Sequence, residues 1–193
     1  QARHLQNILV DLQQRHSGQS IVLVGHSAGG VVARLALVRY GAGNVRKLIT
    51  LASPHLGTGL AGYALQETSD GGATGLVKSF FGGQKYAVAK SSTPLLIDLL
   101  PARNGTLLFW LNQQPHPPIE YASIIRGHSS SLSGDRIVPG FSQDMNQVTA
   151  LSGKSERYYM PTEHGLNPID GEFLSLLLEP YLSKASGKVE KTH

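Results

Sequence analysis

The stretch GHSAGG, residues 25–30, constrains the fold of this chain more than any other feature. It follows the apolar run IVLV (21–24) and precedes the apolar segment VVARLALVRY (31–40), so a strand turns directly into a helix at a serine. A strand that is apolar on both sides is typical of the middle of a parallel sheet covered by helices. We therefore expect a helix-covered sheet with a sharp turn at Ser27.

The turn makes Ser27 a candidate nucleophile, because a serine hydroxyl reacts only when it is exposed and a base removes its proton. We expect Gly25 and Gly29 to relieve backbone crowding at the turn. Free N–H groups at the start of the helix favour negative charge, so the Ala28 N–H is a candidate oxyanion donor. The glycine pattern alone is a weak signal and could mark a packing turn. A phosphate loop would need glycine and lysine patterns that residues 25–30 lack.

The base and the acid must follow the serine, in the order serine, acid, histidine, if the chain is a sheet-built hydrolase. His164 in PTEHGLNP lies between the last predicted strand and the last predicted helix, where a loop base could reach back. Asp135 in SLSGDRIVP follows the predicted strand 119–125 and leaves the sheet at the same edge as Ser27. Asp144 is the alternative acid. The competing interpretations are a solvent-facing histidine and a turn aspartate bonded to its own backbone.

The remaining pattern predicts an α/β fold with a mainly parallel sheet and helices on both faces. We expect helices over 2–16, 27–40 and 169–183, and strands over 21–24, 45–52, 119–125 and 155–161. The domain covers residues 1–184, a cap or lid insertion covers about 57–118, and a disordered polar tail covers 185–193. Apolar residues of the insertion form either an acyl-binding surface or the core of a helical cap. The candidate substrate-binding residues are His26, Leu56, Phe80, Phe81 and Trp110.

Composition excludes several other classes of protein. No run of eighteen apolar residues is present, so we predict no membrane-spanning helix. The net charge of +4 permits transient contact with an anionic membrane surface, but the seventeen Lys and Arg residues are scattered, and we expect no nucleic-acid partner. The chain has no cysteine, and its few carboxylates do not cluster with histidines, so we expect no metal.

The motifs GHSAGG, TLASPHLGT, SGDRIVP and EHGLNP together resemble the lipase-like α/β-hydrolases, in particular the branch of the GPI inositol-deacylases (PGAP-type) and bacterial triacylglycerol lipases. The resemblance runs from about residue 5 to 183. It implies that Ser27, Asp135 and His164 form a catalytic triad that hydrolyses a carboxylic ester of a small molecule or lipid, without a cofactor.

The sequence departs from the family at its start, because the strands that precede the nucleophile strand in that fold are not found here. One of their loops supplies the second oxyanion donor. We therefore expect an N-terminally incomplete sheet, completed by a missing segment or by another chain. Two alternative functions stay open: a non-catalytic module that binds a small ligand, and an acyltransferase that uses the same triad.

Overall fold

The fold is described from a computed structural model, which describes residues 1–69, 93–127 and 135–186. The elements are, in chain order, α1 (Ala2–Arg15), β1 (Ile21–His26), α2 (Ala28–Tyr40), β2 (Val45–Leu51), α3 (Gly59–Ser69), α4 (Thr93–Asp98), α5 (Leu107–Gln113), β3 (Glu120–Arg126), α6 (Gly140–Gln143), two 3₁₀ turns (Met145–Gln147 and Thr149–Leu151), β4 (Ser155–Met160) and α7 (Pro168–Ser186). The bounds of the predicted helices and strands lie within three residues of these.

Within the described ranges, four strands form one parallel sheet in the order β1-β2-β3-β4. The register pairs Val24 with Ile49, and Ile49 with Ala122. Parallel strands that follow one another along the sheet all end at one edge, so the loops after β1, β3 and β4 meet there. This edge carries Ser27, Asp135 and His164.

Helices cover both faces of the sheet, as the sequence predicts. On one face, Leu48 of β2 packs with Leu9 of α1, Leu37 of α2 and the 3₁₀ turns. On the other face, Ile49 and Ile124 pack against α7. Because neighbouring residues of a strand point to opposite faces, the apolar sequence of β2 serves both cores.

A third apolar cluster joins α2 to the described helices of the predicted insertion. Val31 of α2 packs with apolar side chains of α3, α4, the turn after α4 and α5, which are Ala61, Ala64, Leu96, Leu99, Leu108 and Leu111. These side chains are buried against one another and against α2. Whether the insertion is a helical cap or an acyl-binding surface stays a prediction. Residues 70–92 of the insertion, with Phe80 and Phe81, lie outside the described residues, as do 187–193 of the predicted tail.

In the part of the chain that the structure describes, β1 lies at the edge of the sheet and pairs only with β2, as the sequence predicts. Val24 is 44% exposed, and an open apolar groove of about 590 Å³ runs along this strand between α1 and α2. The apolar sequence of β1 is therefore matched by a partner on one side only. Within the described ranges, no helix combines the length and the apolar character that crossing a membrane requires.

Candidate active site

Ser27 occupies a strained turn between β1 and α2. Its φ of 52° and ψ of −129° fall in a region that residues with a side chain rarely adopt, which is typical of a strand-to-helix turn that exposes its serine. A Cβ on Gly25 would lie 2.6 Å from the Cα of Gly30, and a Cβ on Gly30 would lie 2.2 Å from the Ser53 hydroxyl. Both positions therefore require glycine.

The expectation for Gly29 is wrong, because a Cβ there would meet nothing within 4 Å. The residue that relieves crowding together with Gly25 is Gly30, one position further along the chain. The reason is geometric: the first turn of α2 brings residue 30, rather than residue 29, back against the end of β1 and the loop after β2.

Ser27, His164 and Asp135 form a continuous chain of hydrogen bonds. The Ser27 hydroxyl lies 2.9 Å from His164 Nε2, and His164 Nδ1 lies 2.9 Å from Asp135 Oδ2. With Nδ1–H donating to the carboxylate, Nε2 is free to accept the serine proton. The side chain of Asp135 is 1% exposed and that of His164 is 10% exposed. The three residues thus have the geometry of a nucleophile, a base and an orienting acid.

Asp135 also fits its competing interpretation, because one carboxylate oxygen bonds to the backbone of its own turn. Oδ1 accepts the N–H groups of Ile137 at 2.8 Å and Val138 at 2.6 Å. Oδ2 accepts His164 Nδ1–H and, at 3.2 Å, the amide of Gln143. The turn therefore holds the carboxylate in place while its second oxygen faces the imidazole.

His26 reaches the loop that carries His164. Its Nε2 donates to the His164 carbonyl oxygen at 2.7 Å, and the two ring centroids are 5.3 Å apart. Burial lowers the pKa of His26, although the hydrogen bond to the carbonyl acts in the opposite direction. A neutral His26 next to the candidate base is thus favoured at neutral pH. Its ring nitrogen Nε2 is occupied by the loop, so the prediction that His26 binds substrate stays a prediction.

A buried ion pair lies behind the same loop. Arg126, the last residue of β3, bonds with both guanidinium ends to Asp170 of α7, at 2.6 and 2.7 Å. Its Nη1 also donates to Thr162 Oγ1 at 2.6 Å, and its Nη2 lies 3.4 Å from the carbonyl of Gly165. Burial by itself would raise the pKa of Asp170, but the hydrogen bonds from Arg126 and from the Asn167 N–H outweigh it and lower that pKa.

The other candidate residues lie away from this hydrogen-bonded chain or outside the described residues. Leu56 is half-buried in the loop after β2, where its N–H donates to the Ser142 hydroxyl. Trp110 of α5 is stacked under the guanidinium of Arg39 at 5.3 Å. The alternative acid Asp144 caps a 3₁₀ turn through the Asn146 N–H instead.

Sequence reasoning missed Arg126, Asp170 and Gln143. The sequence does contain a signal for Arg126, because this charged residue ends the apolar strand EYASIIR. An arginine that is buried in such a place needs a charged or polar partner. Its partner Asp170 lies 44 residues away, so the pairing itself depends on the fold. Over the described ranges, no three histidine or acidic side chains are grouped so as to hold a metal ion.

Comparison with known proteins agrees with this architecture. Residues 3–65 match the PGAP1-like alpha/beta domain. A GPI inositol-deacylase of Candida albicans is 44% identical over 50 residues, which are 25% of this chain and 13% of that protein. GPI inositol-deacylase B of Yarrowia lipolytica is 31% identical over 112 residues, which are 47% of this chain and 12% of that protein. The match thus spans about an eighth of the length of these relatives.

Among solved structures, the mature lipase BlEst2 of Bacillus licheniformis superposes with a TM-score of 0.60 at 17% identity, over 94% of this chain and 72% of that one. At this identity the likeness concerns the fold. The parallel sheet, its helices and these matches lead to one conclusion: the chain has the α/β-hydrolase fold, which it shares with solved lipases and esterases, and its first third is similar to the PGAP1-like alpha/beta domain.

Proposed function

We propose that this protein is a serine hydrolase that cleaves carboxylic esters with an apolar acyl group. The observation that carries the proposal is the hydrogen-bonded chain from Ser27 through His164 to Asp135, with both links at 2.9 Å. The esterase fold and the similarity to GPI inositol-deacylases support hydrolysis as the reaction class. The name of those relatives makes an acylated inositol lipid one substrate to assay.

In the proposed reaction, His164 Nε2 takes the Ser27 proton while Oγ attacks the ester carbonyl. Asp135 stabilises the imidazolium that forms, because its carboxylate accepts the Nδ1–H. The Ala28 N–H, at the start of α2, donates to the oxyanion. His164 then protonates the leaving alcohol, the ester of Ser27 forms, and a water molecule activated by His164 releases the acid.

Two partner interactions belong to the same proposal. A further strand, from this protein or from another chain, pairs with the outer edge of β1 and brings a second oxyanion donor. The exposed edge at Val24 and the apolar groove beside it support this, because an unpaired apolar edge favours strand addition. The substrate is a small-molecule or lipid ester, reached by transient contact with a membrane surface.

The test is active-site labelling of the full-length protein with a fluorophosphonate, together with hydrolysis of p-nitrophenyl esters of increasing acyl length. We expect Ser27→Ala to abolish labelling and to lower kcat/KM by roughly 10⁴–10⁶-fold. Ser17→Ala is the matched control, since Ser17 is exposed and lies outside the site, and it should label like the wild type.

Three outcomes separate the proposal from its alternatives. A folded wild-type protein that is not labelled would refute the serine hydrolase and favour a ligand-binding module. Labelling accompanied by transfer of the acyl group to an added alcohol, rather than to water, would favour an acyltransferase. Labelling with rapid release of acid supports the proposal.

A further inference from the structure

We propose that Arg126 is a positioning residue that holds the base and the acid of the site in register, an inference that rests on the proposed function. Arg126 touches neither the Ser27 hydroxyl nor the His164 ring. Instead, its side chain bonds to the loop that carries the base His164. Its backbone N–H bonds to Gln143, which in turn bonds to the acid Asp135.

The side chain acts on the loop from both sides of His164. Its guanidinium donates to the Thr162 hydroxyl, two residues before the base, and faces the carbonyl of Gly165, one residue after it. Asp170, which is bonded to the same guanidinium, accepts the Asn167 N–H at 2.9 Å. The ends of the loop are thereby tied to the end of β3 and the start of α7.

The backbone acts on the acid through Gln143, which is fully buried. The Arg126 N–H donates to Gln143 Oε1 at 2.7 Å. The amide of Gln143 in turn donates to Asp135 Oδ2 at 3.2 Å and to the Val138 carbonyl at 2.8 Å. Arg126, at the end of β3, is thus connected both to the loop of His164 and to the carboxylate of Asp135. A shift of Arg126 would therefore move the base and the acid together.

Stability is a poor explanation for this arrangement. Replacement of a buried ion pair by apolar residues of similar size is often neutral or stabilising, because desolvation offsets the attraction between the charges. In addition, Arg126 Nε is buried without a hydrogen-bond partner in the part of the chain that the structure describes. An apolar pair of similar size could not form the hydrogen bonds by which Arg126 holds the His164 loop in place.

The test removes both charges together, so that neither is left buried alone. In Arg126→Met/Asp170→Leu the apolar replacements fill the space, so we expect the protein to fold while the anchors at Thr162 and Gly165 are lost. The matched control is Lys47→Met/Glu156→Gln, which removes a 2.8 Å ion pair at the start of β2 and β4, the opposite edge of the sheet. Both variants are compared with the wild type as full-length proteins.

We expect the Arg126/Asp170 variant to lose roughly 10- to 100-fold in kcat and in the rate of fluorophosphonate labelling, with KM for a short ester nearly unchanged, because small displacements of reacting groups have effects of this size. The control should keep both rates. Thr162→Val leaves the ion pair intact, removes one anchor and should lower kcat by a few fold, which keeps the inference testable if the double variant does not fold.

A readout that is independent of activity separates this inference from the proposed function. The proton on His164 Nδ1, bonded to Asp135, should give a slowly exchanging downfield resonance that His164→Gln removes. We expect the double variant to lose that resonance through exchange with water. A folded variant that keeps the resonance and the wild-type kcat would overturn the inference. A wild-type protein that shows the resonance but is not labelled would refute only the function.

Discussion

Among the residues that the structure describes, two arginines are completely buried, Arg34 and Arg126, and their surroundings differ. Arg126 at the end of β3 is neutralised by a bidentate carboxylate, Asp170. Arg34 of α2 is surrounded by neutral acceptors: it contacts His55 Nδ1 at 3.2 Å, His116 Nε2 at 3.1 Å and Asn112 Oδ1 at 2.8 Å. In the Arg126 region the buried cation is thus paired with an anion. In the Arg34 region the buried cation is hydrogen-bonded only to neutral imidazole and amide groups among the described residues.

The Arg34 region shows what a buried cation does to its neighbours. Burial, followed by the charge of Arg34, lowers the pKa of His116 to about 4 and that of His55 well below its usual value. Burial also lowers the pKa of Arg34 itself to about 9. Both imidazoles are thus neutral at pH 7, and each accepts a hydrogen bond from the guanidinium.

The two arginines also connect different parts of the molecule. Arg34 joins α2 to the loop after β2 and to α5, so it fixes α5 to the helix that follows Ser27. Arg126 joins β3 to α7 across the loop of His164. Neutral acceptors suffice in the first region, whereas the second uses a full charge pair next to the site.

The largest expected effect is that of Asp170→Asn, which gives Arg126 a neutral partner like those of Arg34. We expect the free energy of unfolding to fall by about 3–5 kcal/mol, because a buried guanidinium is left without its carboxylate. Urea unfolding at pH 7 measures this. Asp11→Asn, which breaks the solvent-accessible pair with Arg15, is the control and should cost about 0.5 kcal/mol or less.

If Asp170→Asn costs no more than this control, a neutral amide is as good a partner for Arg126 as for Arg34. The distinction between the two regions would then fail. The wild-type carboxylate would need another explanation, such as its bond to the Asn167 N–H.

The second effect concerns Arg34→Met, which removes the cation from the other region. Two buried acceptors and the half-buried His116 lose their donor, but a charge without a counter-ion is also removed, so we expect a loss of about 1–3 kcal/mol at pH 7. The same urea unfolding measures it. A loss larger than that of Asp170→Asn would show that neutral acceptors bind a buried guanidinium more strongly than a carboxylate does.

The features that could be predicted from the sequence are those that depend on local patterns, and the two arginine regions are not among them. The helices, the strands and the positions of Ser27, Asp135 and His164 at one sheet edge follow from local periodicity and from the order of motifs. Gly30 was missed in favour of Gly29 because only the backbone path of the turn shows which glycine meets β1.

The two arginine regions were not predicted, because each depends on side chains that are distant in sequence. Arg34 and His116 are 82 residues apart, and Arg126 and Asp170 are 44 apart. Spacing and composition carry no signal for such pairs. The sequence also predicts that β1 lacks a partner on one side, but it does not show which segment would provide one, because an apolar strand indicates only that partners are favourable.

The smallest expected effect concerns the pH dependence of the free energy of unfolding, which differs between the Arg34 and Arg126 regions. Because the folded pKa of His116 lies near 4 and that of an unfolded histidine near 6.5, the unfolded chain binds more protons between these values. Stability is therefore full above pH 6.5 and falls as the pH drops towards 4. Asp170, with its lowered pKa, contributes stability that is lost only at pH values below the ordinary value of 3.8.

His116→Gln keeps an acceptor for Arg34 but does not titrate. We expect the free energy of unfolding between pH 6.5 and 4 to fall less steeply than in the wild type, by up to about 1.4 kcal/mol per pH unit, the effect of one proton. Partial exposure of His116 makes the observed difference smaller. Urea unfolding at several pH values measures the slope, and His16→Gln, at an exposed histidine outside the network, should leave it unchanged. An unchanged slope in His116→Gln would mean that the acid sensitivity between pH 6.5 and 4 comes from His55 or His26. A wild-type loss of stability confined to pH values below 4 would assign it to the Asp170 region.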